Sequence, residues 1–205
     1  KLIAQAHGKA EAKVLAVGLP ETDALIVNDI LPAGLPAPFS TEVSGLASMT
    51  AFLHGPATEH EAEAVGVIDF GAHTTSFGIF NKNVLGLVRR FSVGTNSVLD
   101  NVQKSLGVDR ETAQGIIADG AFDISQSVSD VMDPLIKQLV VCRDFVERRE
   151  DCHVTTIYVT GGLALSGDSI EEMRSSLGVD IETWNPLDYL DVANDAVSND
   201  MEGQE

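Results

Sequence analysis

The sequence predicts an α/β protein built on mixed sheets, and three stretches carry that expectation. Residues Val65 to Phe80 form a run of apolar, mostly β-branched residues that ends in Asp69-Phe70-Gly71, turns, and restarts as an alternating strand. Ser125 to Glu150 is the longest helical pattern, with Val128, Met132, Leu135, Ile136, Leu139, Val140 and Phe145 at roughly i, i+3, i+4 spacing. Val154 to Gly162 reads as a buried strand ending in a glycine pair, with a helical pattern after it. Strands that recur on both sides of helices predict a sheet covered by those helices.

The elements follow in order. Lys1 to Lys13 is Ala-rich and reads as the end of a helix, and Val14 to Leu19 as a strand stopped by Pro20. Glu21-Thr22-Asp23 opens a helix through Leu31. Pro32, Pro36 and Pro38 with Gly34 make a turn-rich link. Phe39 to Val43 reads as a strand, Leu46 to Leu53 as a short helix, and His54 to Glu63 as a polar loop, with a subdomain boundary inside it or just before it. Three strands follow at Val65–Asp69, Ser76–Phe80 and Val84–Val93, the last two joined by Asn81-Lys82-Asn83 in an antiparallel meander. Gly94-Thr95-Asn96-Ser97 caps a helix that Gly107 ends, and Asp109 caps the next, which ends near Gly120. Pro134 is expected to kink or delay the long helix. After Gly162 a helix begins with Asp168 or Ser169 as N-cap, and Val179–Trp184 is a short last strand before the Asn185-Pro186 turn. Leu187 to Glu205 carries acids and no Lys or Arg, with little periodicity after Val192, and its end reads as a mobile or truncated tail.

Composition excludes several function classes. With 31 acids against 13 bases the net charge is −18, which opposes nucleic-acid or anionic-membrane binding through bulk electrostatics. No apolar run approaches the roughly 20 residues needed to span a bilayer. Two isolated cysteines, Cys142 and Cys152, make neither a disulfide framework nor a zinc site, so the reading is a reducing cytoplasm. The five histidines are scattered, and no Ser–His–Asp or Cys–His set stands out.

The chemistry concentrates at two points. In the Asp69-to-Thr75 turn, Gly71 allows backbone amides to approach an anion, Thr74 and Thr75 offer hydroxyls, and Asp69 offers a carboxylate able to hold Mg²⁺ through water. The alternative is a plain tight hairpin whose acid satisfies turn amides. In the second, Gly161-Gly162 after a strand lets a flat ring or a phosphate lie against the backbone, as many α/β domains do without any such ligand. His73 is either a phosphate contact or an exposed turn histidine, and Trp184, the only tryptophan, reads as core before ligand stacker.

Both motifs in this order, with helices between, resemble the actin-like ATPase superfamily, with its ribonuclease H-like fold. The first hairpin resembles its second phosphate loop and Gly161-Gly162 its adenosine loop. Within it the order of elements resembles the PilM family of type IV pilus and type II secretion-like assembly systems, relatives of FtsA. Lys13-Val14-Leu15-Ala16-Val17-Gly18-Leu19-Pro20 with Ala33-Gly34-Leu35 resembles the inserted 1C subdomain. Thr41-Glu42-Val43-Ser44-Gly45-Leu46-Ala47 resembles the acid-containing segment before the second phosphate loop. Arg90 to Ser97, Ser105 to Ala113, and Ile157 to Gly162 with Asn185-Pro186 resemble the later strands, helices and loops.

The resemblance implies a division into residues 1–54 (end of the first lobe, a partial 1C subdomain and a connecting helix), 64–187 (second lobe) and an acidic tail, 188–205. No first phosphate hairpin precedes Val14, so the chain reads as a piece cut at both ends that holds half a cleft. The resemblance further implies ATP and Mg²⁺ as ligands, contacted by Asp69 (through a metal-bound water), Gly71, Thr74, Thr75, Gly94, Gly161, Gly162 and, from the facing lobe, Glu42. Glu42 is otherwise a solvated helix-start acid. The implied protein is a cytoplasmic scaffold, peripheral to the inner membrane. It docks a short cytoplasmic segment of an inner-membrane pilus-platform partner through 1C, self-associates, neither inserts in the membrane nor binds nucleic acid, and is at most a slow ATPase. The alternatives are an FtsA-like cell-division filament protein, which the acidic tail opposes because no amphipathic membrane helix fits it, and a small-molecule kinase of the same superfamily, whose catalytic Asp or Arg the chain does not display.

Overall fold

The alternation of residues 64 to 81 builds the centre of the molecule. In the computed structural model, which describes residues 2–5, 12–18, 20–30, 42–119, 122–165 and 167–189, strand β3 (Ala64–Phe70) is buried on both faces except at Asp69. Antiparallel to it runs β4 (Thr75–Asn81), and β5 (Val84–Phe91) pairs antiparallel with β4. Lys82 and Asn83 turn this second hairpin at positive φ, 52° and 59°. On the other side β3 pairs in parallel with β6 (Val154–Gly161), which pairs in parallel with β7 (Asp180–Thr183). The sheet order β5-β4-β3-β6-β7 is therefore mixed, as the sequence predicts.

The period of two divides the core into two layers. From β3, Ala64, Ile68 and Phe70 pack with Phe77, Ile79, Ile157 and Val159 against α3 (Thr95–Leu106), α5 (Ser125–Glu150) and α6 (Gly167–Leu177). The intervening Val65 and Val67 face the opposite side. There they meet Phe80, Tyr158, Trp184, and Met49 and Phe52 of α2 (Ser44–His54). Trp184 is accordingly core, its ring 5.8 Å from that of Phe52. α4 (Arg110–Asp119) follows α3, and its N-terminus is capped by Asp109 Oδ1, which accepts from the Thr112 amide at 2.8 Å. α5 spans the residues the pattern marks. Pro134 neither delays nor interrupts it: Asp130, Asp133 and Pro134 all lie on its exposed side, where the carbonyl that loses its donor is open to solvent.

The first residues differ from expectation. Instead of a helix end, Leu2–Gln5 (β1) pairs antiparallel with Ala12–Val14 (β2). Pairing satisfies backbone groups that a short Ala-rich segment satisfies poorly as an isolated helical turn. The strand expected at Val14 thus begins earlier, and Leu15 to Gly18 continue without regular structure. α1 (Glu21–Ile30) forms where the Glu21-Thr22-Asp23 start places it. The turn-rich link, the start of the strand expected at Phe39 and the tail from residue 190 lie outside the described residues; Glu42 and Val43 belong to no strand. The polar loop after α2 contains one short helical turn, Pro56–Glu59, whose Pro56 and Ala57 are buried, and a second turn closed by the Glu63 amide on the His60 carbonyl at 3.0 Å. α6 starts at Gly167, so Asp168 and Ser169 lie inside it and not at its cap. Among the described residues no helix is long and apolar enough to cross a membrane.

Candidate functional site

Because β3 and β6 are parallel and β5 runs alongside them in the same direction, their C-terminal ends meet at one edge of the sheet. This topology, not sequence proximity, gathers Asp69, the Gly71–Thr74 turn, Gly94 and Gly161-Gly162. Asp69 ends β3 in register with Ser76 on one neighbour and Thr160 on the other, so three polar side chains share a face. That face is the one α2 covers, and Ser48 Oγ of α2 donates to Asp69 Oδ2 at 2.5 Å.

Backbone contacts shape the turn. The Gly71 amide donates to the Thr74 carbonyl at 3.0 Å, closing it. The Gly71 and Ala72 carbonyls accept from the Thr95 and Asn96 amides at 3.1 and 2.9 Å, so the first amides of α3 are satisfied by the turn and not by solvent. Among the described residues, the amides of Ala72, His73 and Thr74 have no acceptor, leaving three successive donors at the turn tip beside Asp69. Only a glycine fits at 94: a Cβ there would stand 2.5 Å from the Gly71 oxygen. Gly161 has φ +88° and lies flat on the Phe70 backbone, while a Cβ on Gly162 would stand 2.6 Å from Thr95 Oγ1. Both glycines are exposed, forming a side-chain-free ledge next to the turn.

The two threonines separate. Thr74 is half-buried in the turn. Thr75 is completely buried, and its hydroxyl donates inward to the Val93 carbonyl at 2.7 Å, tying the start of β4 to the segment after β5. Glu42 does not join the cluster. It is exposed, and its Oε1 accepts from Thr50 Oγ1 at 3.0 Å. Thr50 stands about 200° around α2 from Ser48. Glu42 instead lines an apolar groove of about 390 Å³ with Leu15, Val17, Leu46, Met49 and Leu53. Glu42 and Asp69 therefore do not meet directly, because the Glu42 carboxylate reaches the other side of the helix.

No protein-family model matches the sequence, and no curated protein matches it. Solved structures do. The PilM-PilN type IV pilus biogenesis complex superposes with a TM-score of 0.72 at 22% identity, over 88% of this chain and 52% of that one. MreB5 of Spiroplasma citri, bound to ADP, gives 0.54 at 14% identity over 81% of this chain and 60% of that one. An archaeal actin homologue gives 0.53 at 16% over 72% and 50%. The chain has an actin-like fold. It spans about half the length of the chain of that complex that it matches.

Within this actin-like fold, Ser48, Asn96 and Arg110 are site neighbours that no motif identified. Asn96 Nδ2 lies 3.3 Å from the His73 ring, and its Oδ1 accepts from Arg110 Nη2 at 2.6 Å, which brings a cation to the exposed side of the turn. For Ser48 a signal existed: Asp69 has the parity of Val65 and Val67, so it faces the element covering those residues, and that element is a helix carrying Ser44, Gly45 and Ser48 one turn apart. Elsewhere on α2's side of the sheet, Tyr158 donates or accepts with His60 Nε2 at 2.7 Å, and burial together with Glu182 pushes its phenol up to about 12.

Proposed function

We propose that this chain is the greater part of the nucleotide-facing second lobe, with a piece of the first, of a PilM-like scaffold that binds ATP–Mg²⁺ and docks a short cytoplasmic segment of an inner-membrane pilus-platform protein. The observation that carries the nucleotide half is the single sheet edge that brings together the Asp69 carboxylate, three turn amides without an acceptor among the described residues, and a glycine ledge. Fixed amides suit a phosphate. Asp69 suits a magnesium-bound water, and the exposed Gly161-Gly162 backbone suits a base or ribose. Mg²⁺ would neutralise phosphate charge and orient it. Gly71 and Gly94 keep the turn close to α3, and Thr74 is the hydroxyl on offer; Thr75 acts by holding the turn's base.

The partner half is supported by a different surface. Val14, Val17, Leu25 and Ile26, in the part that resembles 1C, are exposed apolar residues. The groove lined by Leu15, Val17, Leu46, Met49 and Leu53 continues that surface onto α2. The division near residues 54–64 belongs to the same proposal, with α2 as the connection that packs on the sheet of the second lobe. So does the placement of the protein in the cytoplasm, beside the inner membrane through its partner. Slow turnover or none fits a nucleotide that clamps two lobes, because a clamp needs differential binding and not hydrolysis.

The test is binding of a fluorescent ATP analogue with Mg²⁺ to the full-length protein, wild type and Asp69→Ala, together with capture of synthetic peptides from the cytoplasmic segments of pilus-platform proteins. Magnesium-dependent binding that Asp69→Ala abolishes, in a variant with unchanged circular dichroism, supports the nucleotide reading. A wild-type protein that ignores nucleotide at millimolar concentration refutes it and leaves an interaction scaffold. Capture of no platform peptide refutes the partner reading.

A further inference from the structure

The acid that ends β3 is held by a side chain from a different element. Ser48 Oγ donates to Asp69 Oδ2 at 2.5 Å and has a second acceptor within reach, the Ser44 carbonyl at 3.2 Å. A hydroxyl has one proton and serves one of them at a time. The charge-assisted bond to the carboxylate is the stronger. The helix that carries Ser48 is fixed against the sheet: Met49 and Phe52 are buried, and Gly45 lies on Ser76 with no room for a Cβ. Helix packing therefore sets Ser48, and Ser48 sets Asp69. Oδ1 of Asp69 has no partner among the described residues.

We propose that Ser48 is a positioning residue for Asp69. It fixes the carboxylate through Oδ2 so that Oδ1 is the acceptor for a magnesium-bound water. This rests on the nucleotide reading above. Without Ser48 the carboxylate is free to rotate, and that freedom is lost again at each binding of the metal–nucleotide pair. The fallback bond to Ser44 means that Asp69 can be released without leaving the Ser48 hydroxyl unpaired. Residues outside the ligand shell that orient ligands of this kind typically change metal affinity by about 10-fold or more.

The experiment measures the affinity of a fluorescent ATP analogue for the full-length protein with Mg²⁺ and with EDTA, in wild type, Ser48→Ala, Ser48→Thr and Asp69→Ala. The quantity read is the gain in affinity that magnesium confers. Ser48→Ala is expected to lose about tenfold of that gain, with metal-free affinity and the folded circular dichroism unchanged, and Ser48→Thr to restore it. If Ser48→Ala keeps the full gain while Asp69→Ala loses it, the positioning role is overturned and the nucleotide reading stands. If Ser48→Ala lowers metal-free affinity equally, the residue acts through helix packing and the proposal is again overturned. If wild type shows no magnesium-dependent binding, both fall together.

Discussion

Gly94 rests on the Gly71 carbonyl so closely that a Cβ on Gly94 would stand 2.5 Å from its oxygen and 2.7 Å from the Ala72 carbonyl carbon. Both neighbours are backbone and cannot rotate away. Gly94→Ala is therefore expected to push α3 from the turn and lower stability by about 1–3 kcal/mol, read by urea denaturation. A loss below about 0.5 kcal/mol, the range of an indifferent surface substitution, would show that the turn does not rest on α3.

Gly161 and Gly167 provide a matched contrast. Gly161 has φ +88° and lies on the Phe70 backbone, while nothing stands within 4 Å of a Cβ on Gly167 at the start of α6. Gly161→Ala is expected to cost about 2 kcal/mol or more through backbone strain and overlap. Gly167→Ala is expected to be neutral or to stabilise by up to about 1 kcal/mol. Melting curves of the two variants check both, and equal effects would contradict the geometry.

Thr74 and Thr75 divide structure from binding. The buried Thr75 hydroxyl satisfies the Val93 carbonyl, so Thr75→Val, which keeps the volume, is expected to cost about 1–3 kcal/mol for the acceptor left unpaired. Thr74→Val is expected to leave the melting temperature within a degree or so, because the half-buried Thr74 hydroxyl has no hydrogen-bond partner among the described residues, and to weaken nucleotide binding. The reverse pattern would assign the roles the other way round.

Glu172 of α6 supplies a pH dependence. Burial first, and then the Asp133 carboxyl of α5, hold its carboxyl above the ordinary value of 4.5, while Ser129 Oγ, 3.3 Å away, opposes them. A raised acid means that the folded state holds the proton more tightly than the unfolded chain does. Its stabilising contribution is complete below 4.5 and is lost as pH rises through the raised value. Glu172→Gln is thus expected to stabilise the protein near pH 7 by about 0.5 kcal/mol, the scale of partly exposed charge pairs, and to do nothing near pH 4. Melting temperatures at the two pH values test the sign.

Much of this architecture is written in local pattern. The alternation of Val65, Val67 and Asp69 against Ala64, Ile68 and Phe70 determines a strand buried on both faces, and which face Asp69 takes. The spacing of Val128, Met132, Leu135 and Leu139 determines α5, because a 3.6-residue period leaves one buried stripe. The glycines at 71, 94 and 161 mark the places where backbone meets backbone. Leu2–Gln5 was illegible as a strand, since a short pairing depends on a partner segment and not on its own residues.

The sequence by itself determined the five strands of the main sheet, the helices, their order, and the acid and glycines at the strand ends. Only the tertiary structure decided which side chains meet. Ser48 reaches Asp69 and Glu42 does not, though both belong to or adjoin the same helix. Periodicity tells which residues share a face, but it does not tell which face is turned to which neighbour. That is settled when α2 rotates to bury Met49 and Phe52 on the sheet, and the polar residues are carried to wherever that burial leaves them.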